Sequence, residues 1–187
     1  MLKIGITGSL ASGKSTASKF LSKENHLFSA DKIVKKLYSN KKLKKIIARR
    51  LKFKFNSKFK KMLKNKIIED TKNLDKLEKI IHPLVRKEMF LFLNKNKEKK
   101  TLIFEIPLLI ESKLTKYFDI IIFVKSKKNL RLKRYKLKGG NVKLFSLLDR
   151  HQLKDIKKMK FCDHVVVNNK SLAILKKKLS NIINLYD

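Results

Sequence analysis

The segment LKIGIT, residues 2–7, runs directly into GSLASGKS, residues 8–15. A short apolar run followed by G-x-x-x-x-G-K-[ST] and then a helical pattern is the signature of a loop that wraps a phosphate chain. The glycines let the backbone approach closely, so that successive N–H groups turn inward, and the helix that follows adds positive potential at its N-terminus. Lys14 would reach the β- and γ-phosphates, and the Ser15 hydroxyl would serve as a ligand for Mg²⁺. The candidate nucleotide-binding residues are Gly8, Ala11, Ser12, Gly13, Lys14, Ser15 and Thr16.

Working outward, strand and helix patterns alternate. After a helix from about Lys14 to Ser22, a short strand around Leu27 and Phe28 leads into Ala30-Asp31. TLIFE (101–105), FDIIIFV (118–124) and HVVV (164–167) are apolar runs of the kind found in parallel strands covered on both faces. Between them lie helical patterns, including one from about Leu74 to Leu93, one from about Asn129 to Leu137 and a last one carrying Leu172, Leu175, Leu179, Ile182 and Ile183. This order predicts an α/β fold, a three-layer doubly wound parallel sheet. At 187 residues it is expected to be one domain spanning 1–187. Pro83 and Pro107 are expected to pin a turn or a helix start.

Composition narrows the function. The chain has 49 Lys and Arg against 15 Asp and Glu, a net charge of +34, yet 43% of its residues are hydrophobic, enough for a core. Only six of the 49 basic residues are Arg, and base readout favours the bidentate Arg fork, so the excess Lys reads as compositional bias and nucleic acid is not the expected partner. From Lys32 to Ile68 there is no acidic residue, while Leu43, Ile46, Ile47, Leu51, Phe59, Met62, Leu63 and Ile67 recur at helical spacing. These are amphipathic helices with a basic outer face. The single Cys162 rules out an internal disulfide, and no stretch of about 18 apolar residues suggests a membrane span. A cytoplasmic location and a monomer are expected.

Three further places carry chemistry. Asp31 follows the second strand and would emerge at the carboxyl edge of the sheet beside the phosphate loop, placed to act on an acceptor hydroxyl or to cap the next helix. Glu105 ends the strand TLIF, where a carboxylate could approach a metal or simply pair at a strand end. Arg131, Lys133, Arg134, Lys136 and Lys138 cluster before Gly139-Gly140, which suits a mobile cationic lid at about residues 126–143.

Taken together, GITGSLASGKST, SADKIVKKLY, LEKIIHPLVRKE, IFEIPLLIES, the RLKR segment, Gln152 and CDHVVVNN follow one another in an order that resembles the dephospho-CoA kinases, a family of P-loop kinases, from Met1 to about Asn169. The resemblance implies a P-loop fold with a helical acceptor-binding region at about 31–96 and transfer of the ATP γ-phosphoryl group, with Mg²⁺, to the ribose 3′-hydroxyl of dephospho-CoA. It implies that Asp31 acts as base and that Lys14 and Arg134 neutralise the migrating group. It places Lys35, His82, Pro83, Pro107, Leu108 and Leu109 on the acceptor side, and Lys138 and Asn168 with the nucleotide. Ser29 stands where the family usually has a second Asp, and Lys35 and Lys138 stand where Arg is common, which keeps the charge but loses the fork. A nucleoside or nucleotide kinase of the same architecture, and a basic ATP-dependent nucleic-acid binder, remain as rivals.

Overall fold

In the computed structural model, which describes residues 1–22 and 26–186, the elements in chain order are β1 (Leu2–Thr7), α1 (Lys14–Leu21), β2 (Leu27–Ser29), α2 (Ala30–Leu37), α3 (Lys41–Arg50), α4 (Phe59–Glu69) and α5 (Lys72–Lys95). They continue as β3 (Thr101–Glu105), β4 (Ile120–Lys125), α6 (Lys128–Leu137), α7 (Val142–His151), α8 (Asp155–Met159), β5 (His164–Val167) and α9 (Leu172–Ile183). The chain forms two compact units: Met1–Ser29 with Lys95–Asp187, and Ala30–Asn94.

The first unit is built on a five-stranded parallel sheet in the order β2-β3-β1-β4-β5. The central strand β1 lies between β3 and β4, so the chain leaves it in one direction and later crosses to its other side. The carboxyl end of β1 is therefore a topological switch point, where open α/β sheets bind ligands. Alternation along the strands sorts the residues by face. Ile4 and Ile6 join Ile103, Ile120, Ile122 and Val124 in a core with Ala17 of α1 and Leu175 and Leu179 of α9. The opposite face carries Gly5, Phe104 and Phe123. A Cβ on Gly5 would lie 2.7 Å from Leu109 Cδ1, so the missing side chain lets the 106–114 segment pack directly onto β1.

Strand periodicity predicted β3 and β5 to the residue, and β4 begins two residues later than expected because a 3₁₀ turn at Thr115–Tyr117 precedes it. The short α8 carried too little pattern to be foreseen.

The second unit is helical. Leu43, Ile47 and Ala48 of α3, Phe59, Leu63 and Ile67 of α4, and Leu74, Leu77, Ile81 and Met89 of α5 are buried. Lys41, Lys42, Lys45, Arg49 and Arg50 are exposed, as the amphipathic reading requires. Phe59 lies 5.8–6.2 Å from the rings of Tyr38, Phe53 and Phe55. Asn40 caps α3 by accepting from Leu43 N at 3.0 Å. Pro83 departs from expectation: it lies inside the 24-residue α5 rather than at a turn. Proline removes one backbone hydrogen bond, but the buried positions Leu77, Ile81 and Met89 on either side supply tertiary burial that carries the helix through it.

Candidate active site

Between β1 and α1 the backbone takes conformations that explain its glycines. Gly8 has φ 144°, and a Cβ there would lie 2.3 Å from Val124 O; Gly13, the N-cap of α1, has φ 106°, with a Cβ position 2.2 Å from Asn168 Nδ2. Neither place admits a side chain without movement. Ala11, at φ 59°, is a non-glycine held in the left-handed region.

The loop is fixed by its carbonyls. Lys14 Nζ donates to Gly8 O (3.0 Å) and Ser9 O (2.8 Å), bridging the loop from its end to its beginning. Arg131 Nη1 donates to Leu10 O (3.2 Å), Arg134 Nη1 to Ser12 O (3.3 Å), and Asn168 Nδ2 to the same Ser12 carbonyl (2.9 Å). In a trans peptide the carbonyl and the following N–H point in opposite directions. Tying the carbonyls of Leu10 and Ser12 to these side chains therefore turns the amides of Ala11 and Gly13 away from them. That is the arrangement of a cradle for anionic oxygens at a helix N-terminus. Ser12 Oγ is buried and has no hydrogen-bond partner among the described residues. Thr16 lies exposed in the first turn of α1.

Beside the loop, alternation places Glu105 and Ser29 on the α1 face of the sheet, and the parallel register pairs them directly. Glu105 accepts hydrogen bonds from Ser15 Oγ and, at 3.0 Å, from Ser29 Oγ. Glu105 is 3% exposed. A buried carboxylate flanked by hydroxyls is a hard oxygen donor set, suited to Mg²⁺, which binds through one or two carboxylates and keeps its other positions for water and phosphate. The residues present thus fit the ion that the motif implies. They also resolve Glu105: it is no strand-end surface ion pair, since no Lys or Arg salt bridge is formed by it among the described residues.

The basic helix α6 is tied to the phosphate loop and to α7 by its arginines. Arg131, 6% exposed, donates to Ser126 O and forms an ion pair with Asp149 of α7, which also pairs with Lys128. Arg134 donates to Ser126 Oγ (3.1 Å) and Asn168 O (3.1 Å) as well as to the loop. Both arginines thus hold the carbonyl side of the phosphate loop. Lys138, by contrast, is exposed at the C-cap of α6.

After β3, Pro107 and Leu108 are partly exposed, whereas Leu109 is 0% exposed and packs against Gly5. Leu109 is thus a core residue in this structure, and its burial fixes Leu108 beside it. Sequence reasoning also missed Asp149, Asp155 and Lys158, three side chains that hold loop and lid elements in place.

In the helical unit, Asp31 stands in the first turn of α2, inside the helix rather than at its cap, and is exposed, as is Lys35 one turn later. His82 and Pro83 line a groove of about 490 Å³ along α5 with Arg86, Lys87, Phe90, Leu91 and Asn94. This face combines cations with apolar and aromatic surface. Burial and the neighbouring Asp163 push the Cys162 thiol up to about 12, which disfavours its thiolate.

Against known proteins, the family model described as dephospho-CoA kinase matches residues 2–173. A dephospho-CoA kinase of Fusobacterium nucleatum is 36% identical over 185 residues, covering 94% of each chain. A solved structure from Thermus thermophilus superposes with TM-score 0.79 at 25% identity, covering 100% of this chain and 98% of the other. The dephospho-CoA kinase of Campylobacter jejuni superposes with TM-score 0.66 at 26% identity, covering 97% and 95%. Among the described residues no helix is long and apolar enough to cross a membrane.

Proposed function

This chain belongs to the dephospho-CoA kinase family, whose members are ATP-dependent kinases, and on that premise we propose that its phosphate loop holds ATP while the γ-phosphoryl group passes to the ribose 3′-hydroxyl of dephospho-CoA. The observation that carries this reading is the meeting of the loop, Lys14, Ser15 and the buried Glu105 at the carboxyl end of β1. Lys14 holds positive charge at the loop where the migrating group would lie. Ser15 and Glu105 would hold Mg²⁺, which when bound neutralises the charge of the phosphates. Ser29 keeps one Glu105 oxygen aligned through its hydroxyl. Arg134 braces the loop from its carbonyl side and adds positive potential to that of Lys14. Asn168 holds the same Ser12 carbonyl, and Lys138 is the exposed C-cap of α6.

Asp31 orients or deprotonates the acceptor hydroxyl. Because the transition state of phosphoryl transfer is loose, alignment contributes more than basicity. In the helical unit, the α5 groove with His82 and Pro83, and Lys35, serve as acceptor-binding residues, the groove's mixed cationic, aromatic and aliphatic face suiting a purine nucleotide joined to a long apolar-polar tail; in the sheet unit, Pro107 and Leu108 serve on the acceptor side.

The test is acceptor choice. Purified protein with ATP and Mg²⁺ is given dephospho-CoA, nucleosides or nucleoside monophosphates, and ADP formation and products are followed by chromatography and mass spectrometry. Phosphorylation of dephospho-CoA at a kcat/KM at least 10²-fold above the other acceptors is expected. Equal or better use of a nucleoside would overturn the assignment.

A further inference from the structure

Lys158 is the most deeply buried cation of the described chain, 0% exposed, and none of the residues proposed to carry the reaction accounts for it. Lysine is almost never fully buried unless paired. Its Nζ forms an ion pair with Glu111 Oε1 at 2.8 Å and donates to Pro107 O at 3.2 Å. The Pro107 carbonyl also accepts from Thr7 Oγ1, at the end of β1, at 3.0 Å. Three residues before Lys158, Asp155 accepts a hydrogen bond from Ser9 Oγ of the phosphate loop. Residues three apart share a helix face. The one-turn helix α8 thus grips two different pieces of chain with one face: the phosphate loop through Asp155 and the 107–111 segment through Lys158.

We propose that Lys158, with Glu111, is a positioning residue that fixes the 107–111 segment against the phosphate loop, so that the acceptor is held in line with the γ-phosphoryl group. This rests on the reading of Pro107 and Leu108 as acceptor-side residues. A salt bridge kept for stability alone would be replaceable, because apolar residues of similar volume usually substitute for a buried ion pair without loss. A pair kept for alignment is not replaceable in turnover, where a misplacement of about 1 Å costs on the order of 10²-fold.

Three proteins decide between these roles: the wild type, Glu111→Gln, which keeps an acceptor oxygen for Lys158 Nζ, and the double variant Lys158→Met/Glu111→Leu, which fills the space without polar groups. Thermal unfolding, binding of a nonhydrolysable ATP analogue, and kcat and KM with dephospho-CoA are measured for each. The double variant is expected to melt within about 3 °C of the wild type and to bind the analogue within about threefold, while kcat falls about 10–100-fold. Glu111→Gln keeps the acceptor oxygen but leaves the Lys158 charge without its counterion, so it is expected to melt below the double variant while keeping a clearly higher kcat. A stable double variant with wild-type kcat overturns the proposal. So does a double variant that fails to fold, since that places the pair's role in stability, and so does a Glu111→Gln protein as impaired as the double variant. Absence of wild-type turnover on dephospho-CoA would instead strike the proposed function itself, and the wild-type control separates the two failures.

Discussion

Replacing Glu105 by Gln should separate stability from turnover. Glu105 is 3% exposed, and among the described residues its two oxygens accept from the Ser15 and Ser29 hydroxyls. Burying an ion costs several kcal/mol, and two hydrogen bonds to a charged group return about 1.5–3 kcal/mol each, so without a cation the two contributions nearly cancel. Gln keeps the shape and lets the serine hydroxyls rotate to satisfy its amide, so Glu105→Gln should change unfolding stability by less than about 2 kcal/mol, in the stabilising direction. Turnover should behave oppositely. Losing one group aimed at developing charge costs about 10²–10³-fold in kcat. Nucleotide at about 100 times its Kd stabilises by about 2.7 kcal/mol, which at 2–4 °C per kcal/mol for a chain of this size is a rise of about 5–11 °C in Tm. The wild type should show that rise with a nonhydrolysable ATP analogue and Mg²⁺ and a clearly smaller one with the analogue alone, whereas the variant should show no Mg²⁺ increment. Calorimetry with and without each ligand, alongside initial rates, measures both. A variant that turns over within threefold of the wild type, or one that keeps the full Mg²⁺ increment, would refute the reasoning.

Asp31→Asn should lower kcat by about 10²–10⁴-fold with the KM for ATP little changed, the range expected for acid-base assistance; near-normal turnover removes Asp31 from the chemistry. Gly13→Ala puts a methyl 2.2 Å from Asn168 Nδ2 at φ 106°, so it should cost about 1–3 kcal/mol in unfolding free energy and at least tenfold in affinity for ATP, read by denaturant titration and calorimetry. The Cys162 thiol, pushed up to about 12, stays protonated below that pH, so its alkylation by iodoacetamide at pH 8 should run about 10³-fold slower than that of a free thiol and accelerate as pH rises toward 12; the rate of an ordinary exposed cysteine at pH 8 would contradict this.

What the sequence showed and what it hid divide along contact range. GSLASGKS was legible because its chemistry is local: the glycines, the lysine and the serine that form the cradle lie within eight consecutive residues. The strands β3 and β5 were legible because continuous apolar runs have few other uses in a chain so rich in lysine. The supports of the loop were not legible. Arg131 meets Asp149 across 18 residues, Ser9 meets Asp155 across 146, and Asn168 meets Ser12 across 156. No spacing rule links such pairs, since only the packing of the folded chain brings them together. The same reason explains Leu109, whose place in IPLLIE reads like that of Leu108 but whose side chain occupies the space that Gly5 leaves open on β1. Pro83 misled because a residue that ends helices in isolation was outweighed by buried neighbours.

The central claim is that this loop delivers the terminal phosphoryl group of ATP to one hydroxyl of a bound acceptor. Incubation with γ-³²P-ATP, Mg²⁺ and dephospho-CoA, followed by isolation of the nucleotide product and selective removal of its 3′-phosphate, follows that group from donor to acceptor. The account predicts label in the product that is lost entirely with the 3′-phosphate. Label appearing as inorganic phosphate while dephospho-CoA stays unchanged would contradict it.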